Sequence, residues 1–275
     1  MKDNKLFLSG SALKIIGMIS MIFDHIMVVF YSVNKSYLFD INTNTLFRII
    51  GRLAFIIFAF LTVESILKTS NKIKYLLRMG ILAVIMDLGM YIAMGSYCGN
   101  PVTTLFLGAL TIYFLEDKKI YKKLLALLPI SYILLIALEV IPLYADYDIY
   151  GLSTILIFYI SYLISNWASK YIITVHNLDE ETFNNSNYKL HLRNTISSIL
   201  FLSFSMIIYF VNPIWNNKGL FTEMNSIQVY AVFGLIPIML YNGKRGYNKK
   251  WFQYGSYLFF PLHIIIIYLI ALIVV

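Results

Sequence analysis

The chain is predicted to be all-α and to cross a membrane many times. Three observations carry this. Its 275 residues are 59% hydrophobic and only 13% charged, with a mean hydropathy of +0.73, whereas soluble domains are about half apolar and a quarter charged. Several apolar runs reach about 20 residues, the length that crosses a ~30 Å hydrocarbon core. The runs are continuous rather than alternating, and lipid admits only backbones that satisfy their own hydrogen bonds, so helices are selected over a barrel. The expected architecture is one integral membrane domain over 1–275, with about nine helices around a central polar cavity.

In chain order the spans fall at roughly 12–32, 46–67, 73–95, 101–115, 122–141, 150–170, 194–212, 227–241 and 252–274. The first carries Asp24-His25 in its interior. It is long, and no small-residue cleavage pattern follows it, so it is read as a span and not a leader. The second opens on Arg48-Ile49-Ile50-Gly51-Arg52, and the third contains Asp87. The fourth begins Asn100-Pro101-Val102-Thr103-Thr104, with Gly108 beyond, small residues suited to close helix packing. The fourth and eighth are short enough to be tilted or re-entrant. Segment 171–193, with Asp179-Glu180-Glu181 and an Asn-rich run, reads as the longest cytoplasmic loop, solvated and mobile. In the last span Pro261 removes a backbone donor two residues before His263 and predicts a kink.

Basic residues mark alternate connections. Lys2, Lys5 and Lys14 lie at the amino end, and Lys68, Lys72, Lys74 and Arg78 follow span two. Lys118, Lys119, Lys122 and Lys123 follow span four. Lys170, Lys189 and Arg193 follow span six, and Lys244, Arg245, Lys249 and Lys250 follow span eight. The other connections hold only Lys35 and Lys218. This asymmetry predicts a cytoplasmic amino terminus. It also accounts for the net charge of +8 without a nucleic-acid partner. Cys98 is the single cysteine, which excludes an internal disulfide and a cysteine-ligated metal.

Ionised side chains inside a bilayer are costly unless they meet a partner or a wet cavity. Counting residues places Asp24, His25, Arg48, Arg52, Asp87 and His263 in one slab of the membrane. These types support acyl transfer. A histidine oriented by a carboxylate takes a proton from an amine or hydroxyl. Arg48 and Arg52, one turn apart on a shared face, hold a phosphate or stabilise an oxyanion. Asp24 is about 100° round the helix from His25, which leaves Asp87 as the other orienting carboxylate. Asn242, Lys244 and Arg245, in the loop Tyr241 to Gly246, read as a clamp on the phosphates of a nucleotide-like donor such as coenzyme A. His263 is grouped with that donor site.

Blander readings stand beside these. Arg48 serves as a headgroup anchor, Asp24 and Asp87 as counter-charges, and the two histidines as helix–helix hydrogen-bond partners. Lys244-Arg245 is then a turn with positive-inside charge, and Glu64 and Glu139 are interfacial. His176 and His191 are expected in solvent. No tight ligand spacing predicts a metal site.

Taken together, Met21-Ile22-Phe23-Asp24-His25, Phe47-Arg48-Ile49-Ile50-Gly51-Arg52-Leu53-Ala54-Phe55 and Phe58-Ala59-Phe60 resemble the TraX family, membrane acetylases named for modifying F-pilin. The likeness continues through Lys74-Tyr75-Leu76-Leu77-Arg78, Thr104-Leu105-Phe106-Leu107-Gly108, Ala145-Asp146-Tyr147 with Tyr150-Gly151, Leu240-Tyr241-Asn242-Gly243 and Phe260-Pro261-Leu262-His263. The resemblance implies a multi-pass protein of the bacterial cytoplasmic membrane. It implies acetyl transfer from acetyl-CoA to an amine or hydroxyl of a peptide, pilin or glycan. It also implies kinship with the transmembrane acyltransferases, in which an early-span histidine and an arginine pair are essential; His25 and Arg48/Arg52 match in type and order. Oligomerisation is compatible with this reading. The alternative is a transporter or flippase for an anionic lipid or small anion, with Arg48 and Arg52 as its site and His25 as a proton relay. Against it, the chain lacks paired halves with matching broken helices.

Overall fold

The computed structural model describes residues 6–34, 39–95, 99–141, 143, 145–211 and 227–274. Lys2, Lys5, Lys35, Cys98 and Lys218 lie outside the described residues. Within those residues the chain is helical, in the order α1 (Gly10–Asn34), α2 (Ile41–Lys68), α3 (Lys72–Met94), α4 (Pro101–Leu115), α5 (Ile120–Leu124), α6 (Leu127–Ala137), α7 (Asp148–His176), α8 (Glu180–Asn184), α9 (Asn187–Val211), a 3-10 turn (Gln228–Gly234), α10 (Leu235–Met239) and α11 (Lys250–Val274).

Short polar side chains set the helix starts, because the first turn of a helix leaves its N–H groups without internal partners. Asp40 accepts from the backbone N–H of Asn42 and Thr43 ahead of α2. The Thr43 hydroxyl and N–H also hold its carboxyl below the usual carboxylate range. Asn71 caps α3 through Lys74 N–H. Asn100 caps α4 through Val102 and Thr103, with Pro101 in the first turn, where its missing N–H costs nothing.

Among the described residues, seven helical stretches are long and apolar enough to cross a membrane: α1, α2, α3, α5 with α6, α7, α9 and α11. The chain is therefore a multi-pass helical membrane protein. The two remaining expected spans are the short ones, Pro101–Leu115 and Gln228–Met239.

The chain forms two compact units, Met1–Phe58 with Asn225–Val275, and Ala59–Met224. In the first, α1 packs along α11 through Val29, Phe30, Ile267 and Ala271. Gly17 lets the Phe58 ring lie against α1; a Cβ there would come within 2.9 Å of the ring. The carbonyl of Leu240 accepts from Leu8 N–H at 3.0 Å, and Leu8 accepts in turn from Asn242 N–H at 2.8 Å. This ties the residues before α1 to those before α11.

In the second unit α7 packs against α9, and α4 packs against α3, α6 and α7. Phe158 of α7 stacks on Phe201 of α9 at 5.7 Å. Leu107, Ile133 and Leu152 form a second apolar cluster. The polar stripe Ser161, Ser165, Ser169 on α7 is buried, with its hydroxyls returned to backbone carbonyls of the same helix, so apolar surroundings are met without leaving donors unmade.

Segment 171–193 differs from its expectation. α7 runs on to His176 and ends at Asn177 in the left-handed region (φ 48°); Asp179 then caps α8, and α9 begins at Asn187. Arg193 is not a solvated loop cation. It is 7% exposed and pairs with Glu64, itself 6% exposed, at 2.6 Å. Glu64, expected near a span end, is a buried ion-pair partner whose other oxygen takes Lys68 at 2.6 Å. The reason is tertiary: the partner of Arg193 is 129 residues away in sequence, so local composition could not show it. Replacing Glu64 by Leu strands a buried guanidinium and should cost about 3–5 kcal/mol. Unfolding in detergent should show Arg193→Leu added to that variant recovering part of the loss; strict additivity would mean that the pair does not interact.

Candidate functional site

Consecutive residues on a helix face about 100° apart, so α1 offers Asp24 and His25 to different neighbours. Asp24 meets α2. Its Oδ1 accepts from Arg48 Nη1 at 2.9 Å and from Arg52 Nη2 at 2.8 Å. Arg48, Gly51 and Arg52 stand at i, i+3 and i+4 and share one face. Gly51 is the seat of the carboxylate: any Cβ at that position would overlap the Asp24 side chain. The Arg-x-x-Gly-Arg spacing is thus a socket, two guanidiniums flanking a gap that only glycine leaves open.

The two arginines are held differently. Arg52 also donates from Nε to the Arg48 carbonyl and from Nη1 to Gln228 Oε1, both at 3.3 Å. Its side chain is 11% exposed, against 30% for Arg48. Arg52 is therefore a fixed strut, and Arg48 is the guanidinium with an accessible face. Two cations on one carboxylate leave a net positive charge beside α1, which favours a developing anion there.

His25 meets α11. Its Nδ1 lies 2.6 Å from His263 Nε2, with the rings 26° from parallel. His263 Nδ1 is 2.6 Å from the carbonyl of Phe259, one turn earlier, and the Phe259 ring stacks on the imidazole at 4.4 Å. α11 continues as a helix through Pro261. His263, expected with the donor-binding residues, is engaged with His25.

The loop Tyr241 to Gly246 is fastened to the start of α1. Lys244 and Arg245 carbonyls accept from Gly10 and Ser11 N–H at 2.8 and 2.9 Å. Asn242 Oδ1 accepts from Lys244 N–H at 3.0 Å, so Asn242 shapes the turn. Gly246 has φ 76° and sits against the hydroxyls of Ser9 and Ser11, where no side chain fits. The Lys244 and Arg245 side chains are exposed. With these first N–H groups of α1 occupied by loop carbonyls, an anion at this end would be held by the cationic side chains instead. His25 is fifteen residues beyond Gly10, about 22 Å along the helix at ~1.5 Å per residue.

Asp87 belongs to the second unit. It accepts from Asn100 Nδ2 at 2.6 Å and from Thr103 Oγ1 at 2.9 Å, which braces the capped start of α4. Gln228 and the Phe259 carbonyl were not among the sequence candidates. A lone amide opening an apolar run was the available signal for the first; a backbone oxygen leaves none. Among the described residues, no three His, Cys, Asp or Glu side chains converge as a metal site.

Gly51→Ala tests the socket. The added methyl forces Asp24 out from between the arginines, with an expected loss of about 1–3 kcal/mol. Thermal unfolding in detergent should show that loss largely absorbed in an Asp24→Ala background, where there is room; an equal loss in both backgrounds would place the clash elsewhere.

A family model described as TraX protein matches residues 9–185, more than half of the chain. The match includes Asp24, His25, Arg48, Gly51, Arg52 and Asp87, while the Tyr241 to Gly246 loop and His263 lie beyond it. No curated protein and no solved structure matches the chain. By the extent of the family match, the chain belongs to the TraX family.

Proposed function

We propose that the chain is a membrane acetyltransferase that moves an acetyl group from cytoplasmic acetyl-CoA to an amine or hydroxyl of a peptide, pilin or glycan. Membership of a family associated with F-pilin acetylation supports the class. The observation that carries the reading is that α1 offers His25 on one face while its neighbour Asp24 holds the arginine pair of α2 on the adjoining one. Both lie within the family match.

In this reading the acceptor's nitrogen or oxygen attacks the thioester carbonyl carbon as its proton passes to His25. The carbonyl electrons move onto oxygen, and Arg48 stabilises the resulting oxyanion. Arg52 and Asp24 keep Arg48 in place. Collapse re-forms the C=O bond and breaks the C–S bond. Coenzyme A leaves as thiolate and takes the proton from His25 as it becomes thiol. Lys244 and Arg245 hold the donor's phosphates, and the depth of about 22 Å between that loop and His25 suits an extended pantetheine arm. The protein sits in the bacterial cytoplasmic membrane with its amino terminus in the cytoplasm.

Purified protein should bind acetyl-CoA saturably in calorimetry, in the micromolar range. His25→Ala should keep that binding and lose roughly 10²–10⁴-fold in acetyl transfer, the contribution typical of a positioned base. Normal transfer by His25→Ala would remove the histidine from the chemistry. Absence of saturable binding by the parent would overturn the enzyme reading and favour anion transport through the same arginines.

A further inference from the structure

The chemistry above needs a histidine with a bare nitrogen facing its substrates, and imidazole has two nitrogens. Which one carries the proton is set by what the other touches. Three groups in line decide it here. The Phe259 carbonyl can only accept, so His263 Nδ1, at 2.6 Å, carries a proton. A neutral imidazole protonated at Nδ1 has Nε2 as an acceptor. His263 Nε2 lies 2.6 Å from His25 Nδ1, so His25 donates from Nδ1. Its own Nε2 is then left with a lone pair.

We propose that His263 is a positioning residue that fixes the tautomer and ring orientation of His25, presenting His25 Nε2 as the base. The consequence for catalysis rests on the acetyltransferase reading; the geometry does not. The arrangement does the work that a buried carboxylate does in hydrolase triads, where a hydrogen bond to Nδ1–H holds the imidazole in its useful form. The two aspartates that the sequence offered for that task are engaged elsewhere. Asp24 Oδ1 lies between two guanidiniums, and Asp87 is bonded to Asn100 and Thr103.

The relay also survives the proton transfer. When His25 Nε2 takes the acceptor's proton, the ring becomes an imidazolium, and its Nδ1–H stays on His263 Nε2. The ring keeps its orientation until the proton leaves with coenzyme A. Two features hold His263 itself. Its Nδ1–H is anchored to its own helix, and the Phe259 ring is stacked on it at 3°. A rigid acceptor is what tautomer control requires, since a mobile ring would let His25 rotate and offer either nitrogen.

Side-chain geometry supplies the test. In His263→Gln the amide oxygen reaches the level of the lost Nε2 and can still accept from His25 Nδ1–H. In His263→Asn the amide reaches only the level of Nδ1, so the bond to Phe259 is kept and the acceptor for His25 is lost. Full-length protein labelled with 15N-histidine, in detergent, reports ring tautomers by nitrogen chemical shift; the four histidines are assigned by single substitution. The parent and His263→Gln should show His25 protonated at Nδ1 and bare at Nε2. His263→Asn, with an unchanged melting temperature, should shift His25 towards the Nε2–H form. Acetyl-CoA turnover should fall about 10–100-fold in kcat for His263→Asn, with KM unchanged, the usual cost of losing an orienting partner, and should recover to within about 10-fold in His263→Gln. A parent already bare at Nδ1 of His25, or a His25 spectrum identical in all three proteins, would overturn the proposal. The predicted spectra without turnover in any variant would uphold the positioning role and sink the acetyltransferase reading instead.

Discussion

One carboxylate between two guanidiniums is the constraint on which the site depends. Three charges, spread over two spans that lipid would otherwise reject, are tolerable because they meet one another, with hydrogen bonds at 2.8 and 2.9 Å. The clamp does not cancel its own charge. It retains one net cation on the face of α1 next to His25, with Arg52 tied down on three sides and Arg48 left more open. A neutral pair would stabilise the fold as well; the surplus positive charge is what makes the arrangement suited to an anion.

The geometry follows from helix periodicity applied twice. On α2, spacing of three and four brings Arg48, Gly51 and Arg52 onto one face, and the glycine makes the depression that Asp24 fills. On α1, a step of one residue turns His25 away from that face and towards α11. A two-residue motif thus joins two partner helices, and the first unit packs around it. The strap from Leu8 to Asn242, with the loop carbonyls on Gly10 and Ser11, fixes the basic loop to the same helix. The imidazole of His25, the guanidinium of Arg48 and the basic loop therefore share α1 as their common reference.

What could be read in advance was whatever local spacing determines. Hydropathy gave the helical class and the long spans, with only the two short ones, Pro101–Leu115 and Gln228–Met239, below full crossing length. The arginine face and the interest of Asp24-His25 were visible for the same reason. Pairings across the chain were not. His25 and His263 are 238 residues apart, and nothing in either neighbourhood names the other. Glu64 and Arg193 looked like surface charges because a charge near the end of a span reads as interfacial until its partner is known. Segment 171–193 looked like a loop because Asp179-Glu180-Glu181 and its Asn-rich run suit solvent, yet caps at Asn177 and Asp179 let helices occupy most of it. Asp87 is grouped by depth with Asp24 and His25 in the sequence, while its bonds to Asn100 and Thr103 at the start of α4 could not be read there.

In the acetyltransferase reading, the open guanidinium of Arg48 and the imidazole of His25 address the same reacting carbonyl. The decisive measurement is a crystal structure with a non-hydrolysable acetyl-CoA analogue bound. The carbonyl oxygen of the analogue's acyl group should lie about 3 Å from the Arg48 guanidinium, with its phosphates at Lys244 and Arg245 and the acyl carbon on the Nε2 side of His25. An analogue bound with its acyl end remote from both side chains would contradict it.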